Sequence, residues 1–137
     1  MANEFSRNVI DSNLDDQFAL PSSASTSTNS AAIDLGADAY KGENYEVSLV
    51  VGALSDTICP STRTVTYIIE TSTASSFASI DRTVFTQTYT GAGSGVAAQD
   101  IRVRLPSNCA RYVRAKVTFG ASTTDGSAVA ATIALRF

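Results

Sequence analysis

The chain has 137 residues, of which 44% are hydrophobic and 17% are charged, and its formal net charge is -3. This length and composition fit one folded domain with a largely uncharged polar surface. The acidic balance argues against general nucleic-acid binding, which needs a basic surface that displaces counterions from phosphates. The chain contains 18 serines and 16 threonines. Because threonine favours strands and serine favours turns, this bias predicts β structure with polar loops.

The first 30 residues differ in composition from the rest of the chain. Ile10, Leu14 and Phe18 are spaced by four residues, which predicts a short helix over about residues 10–19. Pro21 and the serine- and threonine-rich segment 22–30 then separate this helix from the first strand. A helix this short is marginal in water. We therefore expect residues 1–30 to be an N-terminal arm and linker that become ordered on a neighbouring subunit, with a frayed terminus as the alternative.

From residue 31 onward, short runs of alternating hydrophobicity are separated by turn signals, which predicts strands. Strands are expected at residues 31–35, 44–52, 63–70, 82–89, 101–105, 112–119 and 129–137, with a flexible glycine-rich loop at residues 91–95. The predicted fold class is all-β, with an antiparallel jelly-roll-type β-sandwich over residues 31–137. The predicted core consists of Val47, Leu49, Val51, Val65, Tyr67, Ile69, Ile101, Val103, Leu105, Val113, Val117, Phe119, Ile133 and Leu135.

Signals for chemistry are sparse. The chain has no histidine and no tryptophan, and its carboxylates lie singly, without the paired spacing of an acid and a base. Cys59 and Cys109 are isolated, so we expect two free thiols in a reducing compartment. Residues 1–16 lack the pattern of a secretory signal, and no stretch approaches the roughly 20 apolar residues that cross a bilayer. We expect a cytoplasmically made, soluble protein that is not an enzyme and uses no metal, cofactor, nucleic acid or membrane.

Basic residues cluster late in the sequence. Arg102 and Arg104 share one face of a predicted strand, and Arg114 and Lys116 share one face of the next. On adjacent antiparallel strands they would form a basic strip suited to an acidic partner, because charge complementarity guides docking. The alternative is a solvated sheet face whose charges protect an edge.

Three segments carry a resemblance to a known family. They are STNSAAIDLG at residues 27–36, ETS at 70–72 followed by Ser76 and Phe77, and RVRLP at 102–106 followed by RYVR at 111–114. In this order, they resemble the capsid cement (decoration) proteins of tailed phages, such as that of a Bordetella podophage. The resemblance spans about residues 26–137.

The resemblance implies a jelly roll on the outer surface of a virion capsid, bound to several copies of the phage major capsid protein and self-associated as a dimer or trimer. Such a protein needs a stable scaffold and many weak contacts repeated by symmetry. The expected partner interface comprises Ile10, Leu14, Phe18, Arg102, Arg104, Arg114 and Lys116. The main alternative is a carbohydrate- or host-receptor-binding jelly-roll module with Tyr40, Tyr45, Tyr67, Tyr89 and Tyr112 as its platform. A phage neck or tail-completion protein is a further alternative.

Overall fold

The computed structural model describes residues 14–36 and 45–136. Within them the chain forms nine strands, which we number in chain order. They are β1 (Asp15–Ala19), β2 (Ser27–Asn29), β3 (Ile33–Asp34), β4 (Glu46–Val51), β5 (Thr64–Ser72), β6 (Arg82–Thr90), β7 (Gln99–Arg104), β8 (Tyr112–Phe119) and β9 (Ala130–Arg136). Over the same residues there is no helix long and apolar enough to span a bilayer.

The strands form two antiparallel sheets. Sheet A has the order β1-β9-β4-β7, and sheet B has the order β2-β8-β5-β6, with β3 also paired to β8. The pairs β5–β6, β4–β7, β3–β8 and β1–β9 are nested in the sequence, so the chain is one long ribbon folded back at the β5–β6 hairpin. Wrapping this ribbon brings β4 beside β9 and β5 beside β8. The result is the predicted jelly-roll sandwich.

The core lies between the two sheets and follows from the alternation of side chains along each strand. In β8, for example, buried and half-buried residues alternate over the whole strand. Every residue of the predicted core is buried except Val103, which is half-buried and packs against the core. Cys59 and Cys109 are both buried and free. Complete burial of one aliphatic side chain contributes about 1.5–3 kcal/mol, so this core is the main source of stability.

The helix predicted over residues 10–19 is wrong where the structure describes it. Residues 15–19 form β1, which pairs with β9 from Asp15 opposite Ala134 to Ala19 opposite Ala130. A spacing of four residues keeps side chains on one face of a helix, but four is an even number and therefore also keeps them on one face of a strand. Leu14 and Phe18 accordingly pack against the protein's own core. Ile10 lies outside the described residues.

The domain boundary predicted at residue 31 is also corrected. Leu20 is a core residue with 1% exposure, and β2 pairs with β8. A carboxylate oxygen of Asp16 accepts a hydrogen bond from the Ala31 N–H at 2.7 Å, which ties the edge of sheet A to the segment between β2 and β3. The sandwich thus includes residues 14–30. The part of the predicted arm at residues 1–13 lies outside the described residues.

Candidate functional site

Residues from the three resembling segments meet at one end of sheet B, although the sequence separates them widely. Asp34 ends β3, Tyr112 begins β8 opposite it, and Ser72 of β5 lies on the other side of Tyr112. The loop between β5 and β6 carries Phe77 to the same place. We call this group the Arg111–Arg114 cluster; it comprises Asp34, Glu70, Phe77, Arg111, Tyr112 and Arg114.

The first half of the cluster is the pair Asp34–Arg111. The guanidinium of Arg111 donates two hydrogen bonds to the Asp34 carboxylate, both 2.7 Å long. Gly36 donates its backbone N–H to the same carboxylate and adopts a φ of 86°, which favours glycine. The Arg111 guanidinium and then the Gly36 N–H lower the pKa of Asp34 to about 2. Asp34 is therefore ionised at neutral pH and acts as an acceptor that fixes the turn after β3.

The second half is built around Arg114. Its guanidinium contacts a Glu70 carboxylate oxygen at 2.6 Å, and the two side chains are only 17% and 6% exposed. On its other side, the Arg114 guanidinium carbon lies 4.3 Å from the centre of the Phe77 ring. Phe77 has a φ of 52°, a conformation that costs a bulky residue about 1–3 kcal/mol. Burial of the ring and its contact with Arg114 offset that cost and hold the β5–β6 loop in place.

The serine-rich segment has a structural role in the same sheet. The Ser30 hydroxyl accepts a hydrogen bond from the Ala115 N–H at 2.9 Å and donates one to the Ala31 carbonyl. This hydroxyl bridges the gap between β2 and β3, which both pair with β8. On the outer face, the hydroxyls of Ser27 and Thr118 lie 2.8 Å apart. The segment 27–36 is thus part of sheet B and does not act as a linker.

The predicted basic strip is not formed. Arg102 and Arg104 lie on β7 in sheet A, whereas Arg114 and Lys116 lie on β8 in sheet B. Segment 105–111 carries the chain from one sheet to the other. The length of this segment could have indicated that β7 and β8 are not hairpin neighbours, because tight hairpins need a connection of only about 2–5 residues.

Arginines do share a face of sheet A, but their set differs from the predicted one. Arg102 and Arg104 project from β7, and Arg136 projects from β9 on the same outer face, with Glu46 aligned between Arg104 and Arg136. We call Arg102, Arg104 and Arg136 the arginine face. Sequence analysis missed Arg136 because β9 and β7 lie far apart in the sequence. Only the strand order of sheet A, with β4 between β9 and β7, places these arginines on one face.

The hydrogen bonds of the arginine face are incomplete. Arg102 pairs with Asp100 at 3.3 Å, with both side chains about half exposed. Neither Arg104 nor Arg136 makes an ion pair within the described part of the chain, and the buried Arg136 Nε and Ser48 hydroxyl have no hydrogen-bond partner there. Buried donors without partners are uncommon in folded proteins. Of these groups, only the exposed Arg104 side chain is open to an acceptor on another molecule.

The tyrosines do not form a common platform. Tyr67 is fully buried, and its ring lies 5.3 Å from that of Tyr89 at an angle of 44°. Burial raises the pKa of the Tyr67 hydroxyl, with Cys59 and Tyr89 as lesser causes. Tyr112 lies beneath the Arg111 guanidinium on sheet B, and Tyr45 and Tyr89 pack partly against the core. None of the tyrosines among residues 14–36 and 45–136 is therefore fully exposed, and Tyr40 lies outside these residues.

No protein-family model matches the chain, and no curated protein does. Among solved structures, one titled "CBM4 structure and function" is similar to the chain, with 14% sequence identity and a TM-score of 0.45. The match covers 97% of this chain and 79% of that one. No group of three or more potential metal-ligating side chains occurs among the residues that the structure describes.

Proposed function

We propose that this protein is a cement protein of a tailed-phage capsid, which binds the outer surface of the major capsid protein lattice and stabilises the shell. The observation that carries the proposal is the convergence of the resembling segments. Asp34, Phe77 and Arg111, one from each segment, lie together at one end of sheet B, whereas residues 102–104 of the third segment belong to sheet A. A shared fold would explain why those segments occur in this order.

The chemistry of the Arg111–Arg114 cluster suits a structural scaffold. Its two carboxylates, Asp34 and Glu70, are each bound by an arginine. An acid or base catalyst works best with a pKa near the operating pH, whereas that of Asp34 is about 2. The cluster fastens residues 34–36 and the loop after β5, and that loop is largely exposed, so it can contact neighbouring subunits.

The arginine face is our candidate for the capsid contact. Arg104 is exposed and has no ion-pair partner among the described residues, so an acidic surface of the capsid protein can bind it without displacing another carboxylate. Each such exposed contact is worth only about 0.2–1 kcal/mol. Because many copies bind one shell, contacts of this size add up to stable attachment.

Binding to emptied capsids of the parent phage tests the proposal. We expect saturable binding of the purified protein to the capsids, with a fixed number of copies per shell. Arg104→Glu should weaken binding at low salt. Because the new carboxylate lies opposite Glu46 but is exposed, the melting temperature of the variant should fall by only about a few degrees. Arg63→Glu makes the same charge change at an exposed position outside the arginine face and is the matched control.

Two results would contradict the proposal. Absence of binding to capsids under all salt conditions would exclude a cement function, and saturable binding to a glycan in its place would favour the carbohydrate-binding alternative. Equal effects of Arg104→Glu and Arg63→Glu would leave the cement function standing but would remove the arginine face as the contact.

A further inference from the structure

Strand β6 forms an open edge of sheet B. It runs from Arg82 to Thr90 and pairs with β5 alone among the described strands. Most of its residues are exposed, and no residue from Thr83 to Thr90 is charged. A long, uncharged edge strand presents a row of backbone groups that can pair with another strand.

The other sheet edges are protected. Strand β7 carries Asp100, Arg102 and Arg104, and β1 carries Asp15 and Asp16. Strand β2 has only three residues. Charge and short length are the usual means by which proteins prevent edge-to-edge pairing. Residues 85–90 of β6 have neither, and the β-bulge of this strand, at Val84, lies before them.

The backbone groups on this edge can be assigned. Gly91 donates its N–H to the Arg63 carbonyl at 2.7 Å, so Gly91 directs its backbone groups toward the β5 side. Because these directions alternate along an antiparallel strand, Tyr89 and Gln87 also bond to β5, while Thr86, Thr88 and Thr90 direct their N–H and C=O groups away from it. The threonines therefore carry the backbone groups that no other strand pairs, although the Thr88 carbonyl accepts a hydrogen bond from the side-chain amide of Gln87 at 3.2 Å.

We propose that the β6 edges of two copies of this protein pair in an antiparallel manner about a two-fold axis near Gln87. In that register Thr86 of one copy lies opposite Thr88 of the other, and both present outward backbone groups. Phe85 of one copy lies opposite Tyr89 of the other on the opposite face, an arrangement that stabilises paired strands. Arg82 lies beyond this central segment and does not face its own counterpart.

The side chains of the outer face favour a second copy as the occupant. Ser27, Thr118, Thr66 and Thr88 form one row across sheet B, and the hydroxyls of Thr66 and Thr88 lie 2.9 Å apart. Pairing with a second copy continues this row with the partner's Thr86. A two-fold interface joins identical surfaces, which would repel each other if they carried net charge. Residues 83–90 of β6 carry no charge and therefore avoid that repulsion.

The inference names a surface for the self-association that the family resemblance implies. It rests on the proposed function only for the role of the dimer in the shell. The dimer itself can be measured without capsids. Failure of the dimer and failure of capsid binding are therefore separate results.

Sedimentation velocity of the full chain over micromolar to submillimolar concentrations tests the pairing. The parent should form dimers, and the double substitution Thr86→Lys with Thr88→Lys should raise the dimer dissociation constant by about tenfold or more, because lysines would then face lysines. The matched control is Gln17→Lys with Ala19→Lys, at exposed positions of edge strand β1. Circular dichroism and melting should show that both variants fold.

Cross-linking tests the register independently. Directly opposed residues of a pair without mutual backbone hydrogen bonds have Cα atoms about 4.5 Å apart, which allows a disulfide. Gln87→Cys should therefore cross-link two copies under mild oxidation, and Thr90→Cys should do so far less. The two natural cysteines are buried.

A full chain that stays monomeric at every concentration would overturn the inference, as would a dimer that neither responds to the β6 lysines nor cross-links through Gln87→Cys. If a monomeric protein lost capsid binding when Thr86→Lys and Thr88→Lys were introduced, the edge would pair with a different protein, and the second-copy proposal would be wrong. A β6 dimer that does not bind capsids would overturn the proposed function alone.

Discussion

Arg114 connects Glu70 to Phe77, and both partners depend on it. Replacing it by methionine would leave the Glu70 carboxylate, which is 6% exposed, without its counter-charge. We expect Arg114→Met to lower the free energy of unfolding by about 3–5 kcal/mol, the usual cost of breaking a buried pair on one side. Urea denaturation measures this loss.

The control for that prediction is Arg102→Met. Its pair with Asp100 is half-exposed, so the loss should stay below about 1 kcal/mol. Adding Glu70→Gln to Arg114→Met should restore part of the stability. If Arg114→Met and Arg102→Met lowered the free energy of unfolding equally, the buried pair with Glu70 would contribute no more stability than the half-exposed pair with Asp100.

Asp34 should make the stability depend on pH in the acid range. Its folded-state pKa is about 2, below the value of about 3.9 in an unfolded chain. A depressed pKa contributes stability that is fully present above the unfolded value and is lost as the pH falls toward the folded one. The stability difference between the parent and Asp34→Asn should thus be constant above about pH 5 and shrink between about pH 4 and 2.

Denaturation at a series of pH values gives this difference, and NMR titration of the Asp34 carboxyl carbon gives its pKa directly. Arg111→Met removes the main cause of the shift and should raise the pKa of Asp34. A stability difference that persists unchanged down to pH 2 would contradict the assignment.

At the scale of elements, β1 and Leu20 should be required for stability. Leu20 is 1% exposed, so Leu20→Ala should cost roughly 2–5 kcal/mol through lost burial and a remaining cavity. The exposed neighbour Gln17 is the control, because Gln17→Ala should change stability by less than about 0.5 kcal/mol.

Deleting residues 1–25 extends this test to the whole element. The deletion removes β1 and Leu20 and should unfold the sandwich or strongly destabilise it in thermal denaturation. A detached arm would instead leave a stable domain after the deletion. A truncated chain with the parent's melting temperature would therefore restore the arm hypothesis.

Strands with strict alternation could be predicted from the sequence together with their buried faces, whereas β1 and β2 were missed. In β8, Val113, Val117 and Phe119 alternate with polar residues, so both the strand and its buried face were predicted correctly. Leu20 was missed because it falls outside the four-residue spacing of Leu14 and Phe18 and directly precedes Pro21. In β1, the four-residue spacing of Leu14 and Phe18 fits a helix and a strand equally, and only the pairing with β9 decides between them.

At the scale of the whole molecule, the arrangement of strands was harder to predict than their existence. The alternation of hydrophobic and polar residues in a strand indicates which of its faces is buried, but it does not indicate which sheet contains the strand. Arg104 and Arg114 were therefore assigned to neighbouring strands because they are close in sequence, while Arg136, which shares a face with Arg104, was overlooked. The interaction surfaces depend on this long-range arrangement.

The nested ribbon also has a consequence for synthesis. The β5–β6 hairpin joins residues close in the chain, whereas β1 must wait for β9, which lies between β1 and β4 in sheet A. During synthesis β1 therefore has no paired strand until β9 has been made, and contacts between distant segments form slowly. Until then the apolar side chains of β4 lack their neighbour, so the nascent chain is vulnerable to aggregation and to chaperone capture.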